Sequence, residues 1–133
     1  MKQFALISII ALSIVSSCST STEPTETILG KWQAEWETDP ASFPEVTDMK
    51  SFKMNGEITF YPDSVEINAF GFEGCIFSAD TLRHALKWEI ENDSLLNLIN
   101  EDDIQGMSYT IKEVSGESIR LQLMDDIFLT LKK

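Results

Sequence analysis

The chain has 133 residues, 10 basic against 22 acidic side chains, a formal net charge of −12, and two cysteines, Cys18 and Cys75. That length accommodates one domain and not two. An acidic excess of this size repels nucleic acid and bare anionic lipid, which disfavours both as partners.

The chain opens with Lys2 as a positive flank, an apolar run from Phe4 to Val15 broken only by Ser8 and Ser13, and then the small residues Ser16 and Ser17 before Cys18. About twelve residues at roughly 1.5 Å each fall short of a hydrocarbon core of about 30 Å, so the run predicts a signal peptide rather than a permanent spanning helix. Val15-Ser16-Ser17-Cys18 resembles the lipobox of bacterial lipoproteins, in which the cysteine thiol takes a diacylglycerol and the leader is cut before it. The resemblance implies a signal peptide over 1–17, lipidation at Cys18, and a mature chain of 116 residues and charge −13 once Lys2 is lost. It further implies a bacterial cell envelope location, lipid-anchored. Ser19 stands where the enteric sorting rule reads Asp as inner-membrane retention, which favours the outer membrane, with periplasmic and surface faces both open. An ordinary secretory leader or a short anchor would equally export the domain.

Lipidation of Cys18 leaves Cys75 as the only thiol of the mature domain, so no intrachain disulfide is available and the fold must hold by its core. Residues 19–27, Ser-Thr-Ser-Thr-Glu-Pro-Thr-Glu-Thr, contain nothing that could join a core and predict a solvated, extended tether after Cys18, with the domain starting at Ile28.

From Ile28 onward apolar residues recur with period two, which predicts strands with one buried face. Trp32, Ala34 and Trp36 form the first run, followed by Ile58 and Phe60, then Val65, Ile67 and Ala69, then Leu82 to Ile90 in steps of two. Tyr109 and Ile111, Ile119 to Leu123, and Ile127 to Leu131 complete the series. Turn signals separate the runs at Asn55-Gly56, 62–64, 71–74, Asp80-Thr81, 91–93, 101–103, 115–117 and Asp125-Asp126. Connections this short imply antiparallel neighbours, and a long meander removes its two free edges by closing. The expected fold is therefore all-β, an antiparallel up-and-down meander closing into a barrel of eight to ten strands, with a two-sheet sandwich as the alternative. Residues 38–47, with Pro40 and Pro44, form the long irregular connection and the candidate lid.

Gly30-Lys31-Trp32 on the first strand resembles the Gly-x-Trp that opens the lipocalin barrel, where the Trp plugs one end of the lumen. The Leu29-Gly30-Lys31-Trp32 start, the meander with acidic turns, and a last strand ending in Leu131-Lys132-Lys133 are also similar to small lipocalin-like lipoproteins of Gram-negative bacteria. The likeness implies a barrel over residues 28–133 and a ligand in its mouth. The chain departs from true lipocalins in lacking the C-terminal helix and a disulfide. The Arg that covers their Trp comes from the last strand, whereas Arg120 falls on the penultimate one.

If Asp80-Thr81 is a two-residue turn, Phe77 lies opposite His84, Cys75 opposite Leu86, and Glu73 opposite Trp88, so all six face inward. With Trp32 and Trp36 they make the candidate ligand-binding set, an apolar pocket with a carboxylate and an imidazole near its mouth. The competing reading makes Cys75 and His84 ordinary core residues. No cofactor or metal is expected, since one His and one thiol cannot supply the four ligands of structural zinc and no calcium loop is present. Catalytic signatures are missing as well: no Gly-x-Ser-x-Gly elbow and no phosphate loop, with a dispersed hydrolase triad as the exception. Asp-Ser/Thr-apolar at Ser64, Thr81 and Ser94 resembles an O-glycosylation sequon and equally describes ordinary hairpin exits. The expected function is a non-enzymatic, membrane-anchored module for a small apolar or amphipathic ligand. The alternative is an acidic module for a basic protein partner, either an inhibitor of a cationic enzyme or an accessory subunit.

Overall fold

A computed structural model describes residues 23–102 and 104–133; the leader, Cys18 and residues 19–22 lie outside it. A helical turn α1 (Pro24–Ile28) precedes eight strands: β1 (Gly30–Thr38), β2 (Lys53–Phe60), β3 (Val65–Phe70), β4 (Thr81–Glu91), β5 (Leu95–Ile99), β6 (Gln105–Val114), β7 (Ser118–Met124) and β8 (Ile127–Lys132). Each strand pairs antiparallel with the next and β8 returns to β1, giving a closed barrel in sequential order. Closure leaves no free edge, so the sandwich alternative does not apply.

The period-two runs are the inward faces. Trp32, Ala34 and Trp36 are buried, as are Ile58, Phe60, Val65, Ile67 and Ala69, and later Ile119, Leu121, Leu129 and Leu131. The opposite faces carry cross-strand ion pairs: Lys31 with Glu57 at 3.0 Å, Lys53 with Glu35 at 3.4 Å, and Arg120 with Glu37 at 3.1 Å. Solvent screens such pairs, so they set the wet face more than they stabilise it.

Three sequence expectations are corrected. Asn55-Gly56 is not a turn but lies inside β2, because Trp36 packs its ring over Gly56 and a side chain there would meet Trp36 Cζ3 at 2.7 Å. Residues 71–80 are not a strand followed by a two-residue turn but one long connection. His84 therefore pairs with Ile67 and Leu86 with Val65, not with Phe77 and Cys75. The cause is local: Gly71 and Gly74 break the ladder, Gly74 has φ +93°, and Phe72 N donates to Ser78 O at 3.0 Å, folding the segment on itself. Finally, Pro24–Ile28 is helical where composition predicts an extended tether. Pro24 opens the turn and Ile28, 1% exposed, closes it as the first core residue.

Strand alternation assigns the connections to two ends. One end holds α1 and the turns 61–64, 92–94 and 115–117. The other holds the connections 39–52, 71–80, 100–104 and 125–126.

Candidate functional site

The two ends are filled differently. At the α1 end Trp32 is fully buried, its indole N–H donates to Ile28 O at 2.7 Å, and the Lys133 ammonium lies 4.8 Å from the ring centroid. A cation therefore covers this Trp, supplied by the chain's last residue. Arg120 instead stacks on Phe128 on the outer face, 4.5 Å from its centroid. Trp88 belongs to the same filled half: its indole donates to Tyr61 O at 2.7 Å and its ring meets Phe60 edge-on at 5.4 Å.

Toward the other end the inward residues become smaller, with Gly56, Ala69 and Gly106 where the filled half has Phe60 and Trp88, and the lumen stays open. The result is a cavity of about 320 Å³ lined by Trp36, Met54, Ile67, Ala69, Phe77, Leu82, His84, Leu86, Asn100, Gly106, Met107, Tyr109, Leu123 and Ile127. Leu82 is 39% exposed although it faces inward, because it borders this space rather than packed core. The lining is apolar apart from His84, Asn100 and one internal polar pair. Trp36 Nε1–H donates to Tyr109 Oη at 3.4 Å, and Tyr109 Oη–H donates to Met107 Sδ at 3.9 Å. Burial raises the Tyr109 phenol pKa, with the Trp36 hydrogen bond opposing it.

Of the predicted site residues, Trp36, Phe77, His84 and Leu86 line the cavity. Trp32 and Trp88 do not, since they fill the opposite half. Glu73 is exposed on the 71–80 connection rather than inward, a consequence of the register found for β4. Cys75 is a buried free thiol beneath that connection, its Sγ–H donating to Lys53 O at 3.6 Å, and it does not border the cavity. This matches its reading as a small hydrophobe. The connection 39–52 stands at the cavity end, as a lid would. It is tied sideways to 71–80, with Lys50 N donating to Gly74 O at 2.7 Å and Ile76 N to Ser51 O at 3.1 Å, and contributes no lining residue.

Met54, Asn100, Gly106 and Met107 line the cavity without having been singled out from sequence. Ile67, Ala69, Leu82, Tyr109, Leu123 and Ile127 were assigned to inward faces but not to an end. The available signal was strand direction: inward residues near the C-terminal ends of odd strands and the N-terminal ends of even ones converge at one mouth. Among the described residues no group of three or more His, Cys, Asp or Glu is placed to hold a metal ion.

No family model matches the sequence, and no curated protein does. Among solved structures the chain is similar to the NMR structure of a protein from Bacteroides uniformis, with a TM-score of 0.53 and 14% identity over 82% of this chain and 90% of that one. A redesigned β-barrel also aligns, with a TM-score of 0.48 and 11% identity over 86% and 98% of the two chains. At 14% identity the first likeness is one of fold.

Proposed function

We propose that this protein is a lipid-anchored, lipocalin-like binding module of the bacterial envelope that holds a small apolar or amphipathic molecule in the open half of its barrel. The observation that carries this reading is the cavity of about 320 Å³ above the Trp36–Tyr109 pair. Its volume lies at the small end of the roughly 300–1,000 Å³ of ligand pockets, and an apolar wall with few polar groups is what such ligands require. The tryptophan plug at the filled end, covered by Lys133, supports the lipocalin-like reading. Non-enzymatic binding is favoured over catalysis because the cavity's polar groups are dispersed and, among the described residues, its lining holds no paired nucleophile and base.

Anchoring through Cys18 would also orient the barrel. Four residues separate Cys18 from Glu23, so the five Cα–Cα steps between them reach at most about 18 Å, and Ile28 of α1 is buried against Trp32 at the filled end. The filled end then faces the bilayer and the cavity opens away from it.

The test is native mass spectrometry of the protein purified from its own membranes, beside a Leu82→Trp variant that obstructs the mouth at an already half-exposed position. A copurified small molecule that is lost in the variant supports the reading. An empty barrel that takes up no alkyl alcohol overturns it.

The second reading, a basic protein partner, is favoured by the acidic connections at the open end, where Asp39, Glu45 and Asp48 face Lys50 alone on 39–52. Binding to such a partner would weaken steeply with salt and survive both Glu73→Ala and His84→Ala.

A further inference from the structure

Resting on the small-ligand reading, we infer that the occupant of the cavity is a neutral molecule whose leading end carries a carbonyl, a ketone or an ester, and that this oxygen accepts the phenolic hydrogen of Tyr109. Three observations converge on that hydrogen. Tyr109 lines the cavity from β6 and is only 2% exposed. Its oxygen already accepts the Trp36 indole N–H at 3.4 Å, so what it has left to place is its own O–H. The partner that O–H finds is the Met107 sulfur, at 3.9 Å.

A thioether is a weak acceptor, whereas a hydroxyl in apolar surroundings gains most from a strong one. Accepting from Trp36 also polarises the phenol and makes it a better donor. Met107 is a partner that can give way, since it is 41% exposed and its unbranched side chain turns about three bonds. The other polar side chains of the lining, His84 and Asn100, are exposed, where water serves them.

The lining also selects against charge. Among the described residues no Lys, Arg, Asp or Glu borders the cavity. A carboxylate or an ammonium drawn down to Tyr109 would be a buried charge without a counterion, a cost that one hydrogen bond does not offset. An alcohol fits less well than a carbonyl, because it brings an O–H of its own for which the same thioether is the acceptor at hand. A volume of about 320 Å³ is roughly twice that of an engineered cavity that holds benzene, so the occupant has on the order of ten heavy atoms.

The test titrates the intact chain at neutral pH with acetophenone, cumene and benzoate, which share a ring and a heavy-atom count and differ in the head group. The Trp36 indole NMR shift reports entry into the cavity, and the carbonyl stretch of bound acetophenone reports the hydrogen bond. Tyr109→Phe is expected to weaken acetophenone binding about fivefold, the scale of one net hydrogen bond, and to leave cumene binding no weaker. The bound carbonyl stretch should lie below its value in hexane and return toward that value in the variant. Met107→Leu, at an already half-exposed position, removes the competing sulfur and should tighten acetophenone binding. Benzoate should bind most weakly of the three.

The inference is overturned, with the small-ligand reading left standing, if Tyr109→Phe weakens acetophenone no more than cumene, or if the bound carbonyl stretch equals its hexane value. Benzoate binding more tightly than acetophenone overturns it as well, because the lining then accepts a charge. If none of the three probes moves the Trp36 indole, the inference and the small-ligand reading fail together.

Discussion

Trp36 and Tyr109 meet across the lumen: the indole N–H of β1 donates to the phenolic oxygen of β6 at 3.4 Å, although the two strands share no ladder. The pair ties opposite walls of the barrel at the border between packed core and cavity. Burial holds the Tyr109 pKa above its ordinary 10.0. A group whose folded pKa exceeds its unfolded value contributes stability that is fully present below the unfolded pKa and is lost as pH rises through the folded one. Urea midpoints should therefore hold up to about pH 10 and fall above it. Tyr109→Phe should cost about 0.5–1.5 kcal/mol at neutral pH, one modest hydrogen bond, and flatten that alkaline fall. Lys53, raised by Glu35 and Glu37, acts with the same sign in both proteins, so the difference between them isolates Tyr109. An identical alkaline slope in the variant would rule Tyr109 out as its source.

Gly56 is the second determinant of the cavity wall. A side chain there would strike the Asn68 carbonyl oxygen of β3 and come within 2.7 Å of Trp36 Cζ3. The first contact forces β2 and β3 apart at this point and the second displaces the indole, so both must shift. Gly56→Ala is expected to destabilise by about 1–3 kcal/mol, the range for overpacking, and to shift the Trp36 indole resonance. A variant of unchanged stability and spectrum would show that the wall is softer than this packing implies.

Period-two alternation made most of the barrel legible in advance, because a strand with one wet face must alternate and a closed meander has only one inside. Depth along the barrel axis was not legible. Trp32, Trp36 and Trp88 are all inward, yet only Trp36 borders the cavity, since that depends on which end each strand segment reaches. Gly56 looked like a turn because Asn-Gly is the strongest short hairpin signal, and a tertiary contact with Trp36 overrode it. The 71–80 connection failed in the opposite direction. Its alternation of Glu73, Cys75 and Phe77 is strand-like, but the two glycines and the Phe72–Ser78 bond fold it into a loop, which sends Glu73 out to solvent.

Sequence and structure agree at the β4–β5 hairpin, and the agreement suggests a stabilising change. Asn92 and Asp93 take φ +51° and +56°, the left-handed pair of a type I′ turn. Asn and Asp tolerate this region, but glycine is the favoured second residue. Asp93→Gly should raise stability by up to about 1 kcal/mol, part of the left-handed penalty for a residue with a side chain. Urea denaturation measures it, and a loss of stability would mean that Asp93 makes a compensating contact.

Lys133 gives the chain's last residue a structural task. Its ammonium lies 4.8 Å from the Trp32 centroid and its backbone N–H donates to Glu117 O at 3.0 Å. Lys133→Ala keeps the backbone bond and removes only the cation, so it should cost about 0.5–1 kcal/mol. Removing the residue altogether should cost more. If Lys133→Ala is neutral while deletion is not, the backbone bond and not the cation secures the plug.

The two cysteines can be separated by counting thiols. Cys75 is 6% exposed and shielded by the 71–80 connection. It should react with an aromatic disulfide reagent only as fast as that connection opens. Cys18, if its sulfur is occupied by diacylglycerol, should not react at all. Protein purified from its own membranes is therefore expected to give no rapid thiol titre when native and one thiol per chain when unfolded. A Cys75→Ala variant should give none in either state. Two thiols per unfolded chain would show Cys18 to be unmodified and would remove the lipid anchor, and with it the orientation of the cavity away from the bilayer. The barrel and its cavity, built from residues beyond Ile28, are a separate question from that count.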